Sequence, residues 1–149
     1  GLYIMPVFTS KFCKMLCEEV AHFRKSGLTA SRPNNMLKYG LIIRELGLAP
    51  VMNAFVRYWI DPLAKALLPH EVDPTHGLDS QHSFTVHYSA EVPHGERSIS
   101  THVDNSEVTL NVNLGGNWCG GELLCFGTDE DDTAGDVLEI QHTQGHGIL

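Results

Sequence analysis

"THVDNSEVTLNVNLGG" occupies residues 101–116. Within it Val108, Leu110, Val112 and Leu114 alternate with Thr109, Asn111 and Asn113, a period of two that predicts a strand with one apolar and one polar face. His102 and Asp104 stand two positions apart at the head of this run. On an extended backbone such residues share a face, about 6.5–7 Å apart along the chain, so both side chains are expected to reach one point in front of a sheet. An imidazole nitrogen and a monodentate carboxylate oxygen are two of the three donors in the facial set that holds non-haem Fe(II) with open positions. His-x-Asp also occurs by chance, as a surface pair. The polar face argues against chance, because buried amides and hydroxyls need partners that a polar small molecule could supply. A solvated face is the plain alternative.

Working outward, "SFTVHY" (83–88) alternates Phe84, Val86 and Tyr88 against Thr85 and His87, which puts Tyr88 on the same face as Phe84 and Val86. "ELLCF" (122–126) and "VLEIQH" (137–142) are further strand candidates, and "HGIL" (146–149) reads as the opening of another. Gly120 and Gly121 predict a tight turn into the first of these. Toward the N-terminus the period becomes helical. A helix is expected from an Ser10 cap to about Ser26, with Phe12, Leu16, Val20 and Phe23 on one face and Gly27 at the stop. "TASRPNNMLKYG" (29–40) is irregular, its turn set by Pro33, Asn34 and Asn35. A second helix is expected over Val51–Leu68, with Met52, Phe55, Trp59, Leu63 and Leu67 inward and a kink or restart at Pro62. Helices followed by short strands and Gly-rich turns suggest helices packed outside an antiparallel sandwich or barrel.

Composition narrows the function classes. The 149 residues amount to one domain, 42% apolar. The net charge of −8 gives no support to a nucleic-acid partner. Much of it sits in "TDEDDTAGD" (128–136), which reads as a solvated acidic loop. No apolar stretch nears the roughly 20 residues a membrane helix needs, and the start lacks a signal-peptide pattern. Cys13, Cys17, Cys119 and Cys125 have neither disulfide nor CxxC spacing, so reduced thiols in an intracellular compartment are expected.

"FTVHY…THVDNSEVTLNVNLGGNWCGGELLCF" resembles the catalytic core of the Fe(II)- and 2-oxoglutarate-dependent oxygenases of the prolyl and lysyl hydroxylase type. Among these, "RPNNMLKYGLIIRELGL", "LDSQHSFTVHY" and "QGHGIL" are similar to the family called 2-oxoglutarate and iron-dependent oxygenase domain-containing protein 2. The resemblance covers the chain from about Ser31 onward, and less specifically the helix from Ser10. It implies a mainly β fold with N-terminal helices: a cupin-like jelly roll (double-stranded β-helix) at 79–149 behind a helical lead-in at 1–78. It implies a dioxygenase that hydroxylates its substrate, with Fe(II), 2-oxoglutarate as co-substrate and L-ascorbate as a further cofactor. His102 and Asp104 would be iron ligands. Tyr88 and Asn111 stand where relatives contact 2-oxoglutarate, although Tyr88 could equally be a packed core tyrosine. A protein side chain is the family-level expectation for the substrate.

In the family a segment like "HTQGHGIL" precedes a distal histidine ligand and an arginine that pairs with the far carboxylate of 2-oxoglutarate. Here the sequence stops at Leu149. His142 and His146 read as solvated or turn residues rather than substitutes, and Arg97 matches no family position. The last strands of the jelly roll are thus expected to be missing, which leaves an open sheet edge. The chain is then either a fragment of a longer enzyme, inactive alone and weak toward 2-oxoglutarate, or an inactive short form that binds a protein partner or a second copy of itself through that edge. A cupin-like hydrolase with zinc at the same ligands is a third reading.

Overall fold

The computed structural model describes residues 1–90, 96–116, 119–127 and 135–149. The predicted first helix is α1, Ser10–Lys25. Its cap is Thr9 rather than Ser10: the Thr9 hydroxyl accepts the Phe12 amide at 3.2 Å, satisfying one of the orphan donors of the first turn. His22, Arg24 and Lys25 complement the dipole at its other end. Leu16 is buried, with Phe12, Val20 and Phe23 half-buried beside it.

The second helix region is one helical rod in three pieces: α2 (Ala49–Phe55), a wide π turn (Val56–Ile60) and α3 (Asp61–Leu67). Pro62 explains the π turn. Its ring would collide with the carbonyl four residues back, and the chain relieves this by widening, so that the Asp61 amide donates to Val56. The added residue rotates the face. Met52, Ile60 and Ala64 are buried, while Trp59 is 67% exposed and Leu63 36%. The inward face expected at Trp59 and Leu63 has moved one position along.

Two strands escape the alternation rule because they are too short to show a period. β1 (Ile4–Pro6) precedes α1, and β2 (Leu41–Ile42) runs into a 3-10 turn at Ile43–Leu46. The remaining strands are β3 (Phe84–Thr85), β4 (Asn111–Val112), β5 (Leu123–Phe126), β6 (Val137–Ile140) and β7 (His146–Ile148). Among the described residues they form three antiparallel sheets, ordered β1-β7-β4, β2-β3 and β5-β6. The "HGIL" strand is therefore the middle of a sheet. Gly147 makes its close packing possible: an added Cβ would sit 2.8 Å from Val7, 3.0 Å from Leu110 and 3.1 Å from Val112.

Leu16, Ile43 and Met52 form the core cluster, joined by Phe12, Leu46, Leu48 and Leu114. Leu114, just beyond β4, thus ties the segment carrying the candidate ligands to α1. The alternation of 108–114 holds as far as Val112, with Thr109 and Asn111 exposed between half-buried apolar neighbours. It breaks at Asn113, which is buried. In "SFTVHY" alternation does not separate inside from outside: Phe84 and Tyr88 are exposed, whereas Thr85, Val86 and His87 are all half-buried. From α1 the Arg24 guanidinium donates to His87 Nδ1 at 3.0 Å and to the Tyr39 carbonyl at 2.6 Å, holding His87 against the protein. The acidic stretch 128–136 falls largely outside the described residues. No described helix is long and apolar enough to cross a membrane.

Candidate metal centre

His102 and Asp104 do meet, though not on a strand. Residues 101–104 are extended without ladder bonds, and the chain bends at 105–107 before joining β4. Three side-chain contacts bring the pair together instead. His102 Nδ1 lies 2.8 Å from the Ser100 carbonyl. A carbonyl can only accept, so Nδ1 carries the proton and donates it. In the neutral ring Nε2 then presents its lone pair, and it faces Asp104 Oδ1 at 3.2 Å. Thr109 Oγ1 donates to the other carboxylate oxygen, Oδ2, at 2.8 Å, and the Ser106 hydroxyl lies 3.0 Å from Thr109 Oγ1.

Two acceptors facing at this distance repel each other. Only a proton on Nε2, giving an imidazolium–carboxylate pair, or a cation between the two makes the contact attractive. Donors about 2.1 Å from a metal on adjacent octahedral positions lie about 3 Å apart, close to the spacing found. The ring's other nitrogen donating to a backbone carbonyl, and the carboxylate held by a hydroxyl, are the outer contacts that orient metal ligands. The side chains are 35% and 49% exposed, which leaves a bound cation open to solvent or to other ligands.

The other predicted residues are not hydrogen-bonded into this pair. Tyr88 is 48% exposed and bridges through its backbone to Glu96; partial burial, then the nearby Glu96 carboxylate, raise its phenol above the ordinary value. Asn111 is exposed on β4, opposite Ile148. His142 Nε2 donates to the Gly121 carbonyl at 3.1 Å, and His146 Nδ1 lies 3.4 Å from the Gln144 carbonyl. Arg97 reaches the Ala90 carbonyl at 3.3 Å. Among the described residues no third His, Cys, Asp or Glu joins His102 and Asp104 in a metal-sized group. An apolar groove of about 330 Å³ lined by Met5, Phe8, Phe55, Trp59 and Leu63 lies apart from the pair, between β1 and the helical rod.

Thr109 and Ser106 are the members the sequence reading missed. Alternation placed Thr109 on the polar face, but its partner depends on the bend at 105–107, which period-two patterning cannot express. Asn113 shows the same limit. Its Oδ1 accepts the Gly115 amide at 3.0 Å, while its buried Nδ2 has no partner among the described residues.

Comparison with known proteins supplies what the isolated pair cannot. Residues 1–73 match the family described as OGFOD2-like domain. Over 151 aligned positions the chain is 40% identical to the human 2-oxoglutarate and iron-dependent oxygenase domain-containing protein 2, covering 99% of this chain and 41% of that protein. It is 38% identical to the Mus musculus protein of the same name, with 99% and 42% covered. It is 36% identical over 159 positions to the Arabidopsis thaliana 2-oxoglutarate and iron-dependent oxygenase domain-containing protein ICU11, covering all of this chain and 39% of the relative. The chain thus spans about two fifths of the length of the curated relatives it matches. No solved structure matches it.

Proposed function

We propose that this chain, kin over nearly its whole length to the 2-oxoglutarate and iron-dependent oxygenase domain-containing proteins, carries two metal ligands of a 2-oxoglutarate-dependent dioxygenase, His102 and Asp104. The observation that supports the reading is His102 Nε2 lying 3.2 Å from Asp104 Oδ1, with Nδ1 of the same ring 2.8 Å from the Ser100 carbonyl. Neutral imidazole and carboxylate are the donors that Fe(II) takes in oxygenases. When bound, Fe(II) and 2-oxoglutarate supply the oxidising chemistry: O₂ is activated, the keto acid is decarboxylated to succinate, and a substrate C–H bond is hydroxylated. The protein's share is to hold the metal by few atoms, orient them, and bind the co-substrate beside them. Among the described residues no third His, Cys, Asp or Glu joins the pair, so turnover would need groups besides His102 and Asp104. The jelly-roll completion of the three small sheets belongs to the same proposal, as do L-ascorbate as a further cofactor and a protein side chain as the substrate.

Tyr88 and Asn111 are proposed to contact 2-oxoglutarate, both being exposed side chains without a hydrogen bond among the described residues. Retention of labelled 2-oxoglutarate by the 149-residue protein in ultrafiltration checks this. Weak binding that requires Mn(II) is expected, with Asn111→Ala lowering it about tenfold, the worth of one hydrogen bond to a charged group. Retention without metal, or unchanged in Asn111→Ala, overturns the assignment.

That His102 and Asp104 belong to no metal-sized group of three among the described residues motivates one alternative, an inactive module that binds a protein partner. Succinate formation by the Fe(II)-loaded full-length relatives separates the two. Its absence there supports the module.

A further inference from the structure

We infer that Thr109 is a positioning residue that keeps Asp104 monodentate and so preserves an open coordination position on the metal. The inference rests on the reading of His102 and Asp104 as metal ligands. It starts from the protons. Thr109 has one hydroxyl hydrogen, and it goes to Asp104 Oδ2 at 2.8 Å. Ser106, 3.0 Å from Thr109 Oγ1, must then be the donor in their contact. The result is a one-way chain, Ser106 O–H to Thr109 O–H to Asp104 Oδ2, in which each bond polarises the next. It divides the carboxylate: Oδ2 is engaged by the hydroxyl chain, and Oδ1 alone is left toward His102 Nε2.

The division has a chemical consequence. A free carboxylate beside a divalent cation can swing to bind through both oxygens, which fills one more coordination position. Fe(II) oxygenases depend on positions left open. Thr109 makes that swing costly, since Oδ2 would have to give up a charge-assisted hydrogen bond. The polar face of the β4 segment therefore serves the metal ligand at Thr109, two residues before Asn111.

The test counts waters on the metal. Mn(II) is titrated into the 149-residue protein and water-proton relaxation reports the exchangeable waters on the bound ion. Thr109 is exposed, so Thr109→Val is expected to fold and to bind Mn(II) within about tenfold of wild type. It should hold one fewer exchangeable water, and Thr109→Ser should restore the count. A Thr109→Val protein with the wild-type water count overturns the positioning role even though metal binding stands. If His102→Ala binds Mn(II) as wild type does, the metal reading itself fails, and the inference with it. Thr109→Ala serves as a second variant should the valine methyls perturb the bend at 105–107.

Discussion

At the scale of single residues, the spacing His-x-Asp made it legible that His102 and Asp104 come together. What was not legible is why they meet. The Ser100 carbonyl, the Thr109 hydroxyl and the bend between them do that work, and all three depend on a backbone path that no residue type announces. Gly145 is a similar case. It adopts φ 78°, and a Cβ there would press directly against the Phe8 carbonyl. Its own carbonyl accepts the amides of Val7 and Phe8 at 2.8 and 2.9 Å, so one glycine joins the lead into β7 to the end of β1. Gly145→Ala should destabilise the protein by at least about 1–3 kcal/mol, from left-handed strain plus the clash. The urea midpoint measures it, and a change under about 0.5 kcal/mol would contradict this account of the turn.

At the scale of elements, apolar period and cap chemistry located α1 to within a residue, because a sixteen-residue amphipathic helix gives its pattern room to repeat. The exact cap was decided by one hydroxyl. Thr9→Ala should cost about 1 kcal/mol, lowering the Tm by roughly 2–4 °C, whereas Ser10→Ala should change it little. Equal losses would contradict the assignment of Thr9 as cap. The second helix was legible in extent but not in facing, since Pro62 predicts a disturbance without saying that it takes the form of a π turn. Strands of two or three residues lie below what alternation can resolve. β1 and β2 went unread, and the half-burial of His87 in "SFTVHY" goes with a hydrogen bond from Arg24, 63 positions away.

At the scale of the whole molecule, the N-terminal segment is fastened across the fold. Tyr3 exchanges two backbone hydrogen bonds with Leu149, each 2.9 Å, and its hydroxyl donates to the Leu67 carbonyl at the end of α3. The loop after α3 is held by carboxylates. The Leu78 amide, followed by Lys65, keeps the Asp61 carboxyl below its ordinary value of 3.8, and the His76 and Thr75 amides do the same for Asp73. Depressed native values mean that the unfolded chain binds more protons as pH falls. The stabilisation is fully present above the ordinary carboxylate value and is lost as pH drops through the lower native ones, so the urea midpoint should decline below about pH 4. Asp61→Asn combined with Asp73→Asn should flatten that decline, and an unchanged slope would contradict the assignment. What binds these scales together is the claim that His102 and Asp104 grip a divalent metal through one atom each. The most direct test is the loss of the free Mn(II) electron paramagnetic resonance signal on adding protein. Wild type should take up Mn(II), and His102→Ala and Asp104→Ala should each weaken uptake more than about tenfold. Uptake by both variants equal to wild type would contradict it.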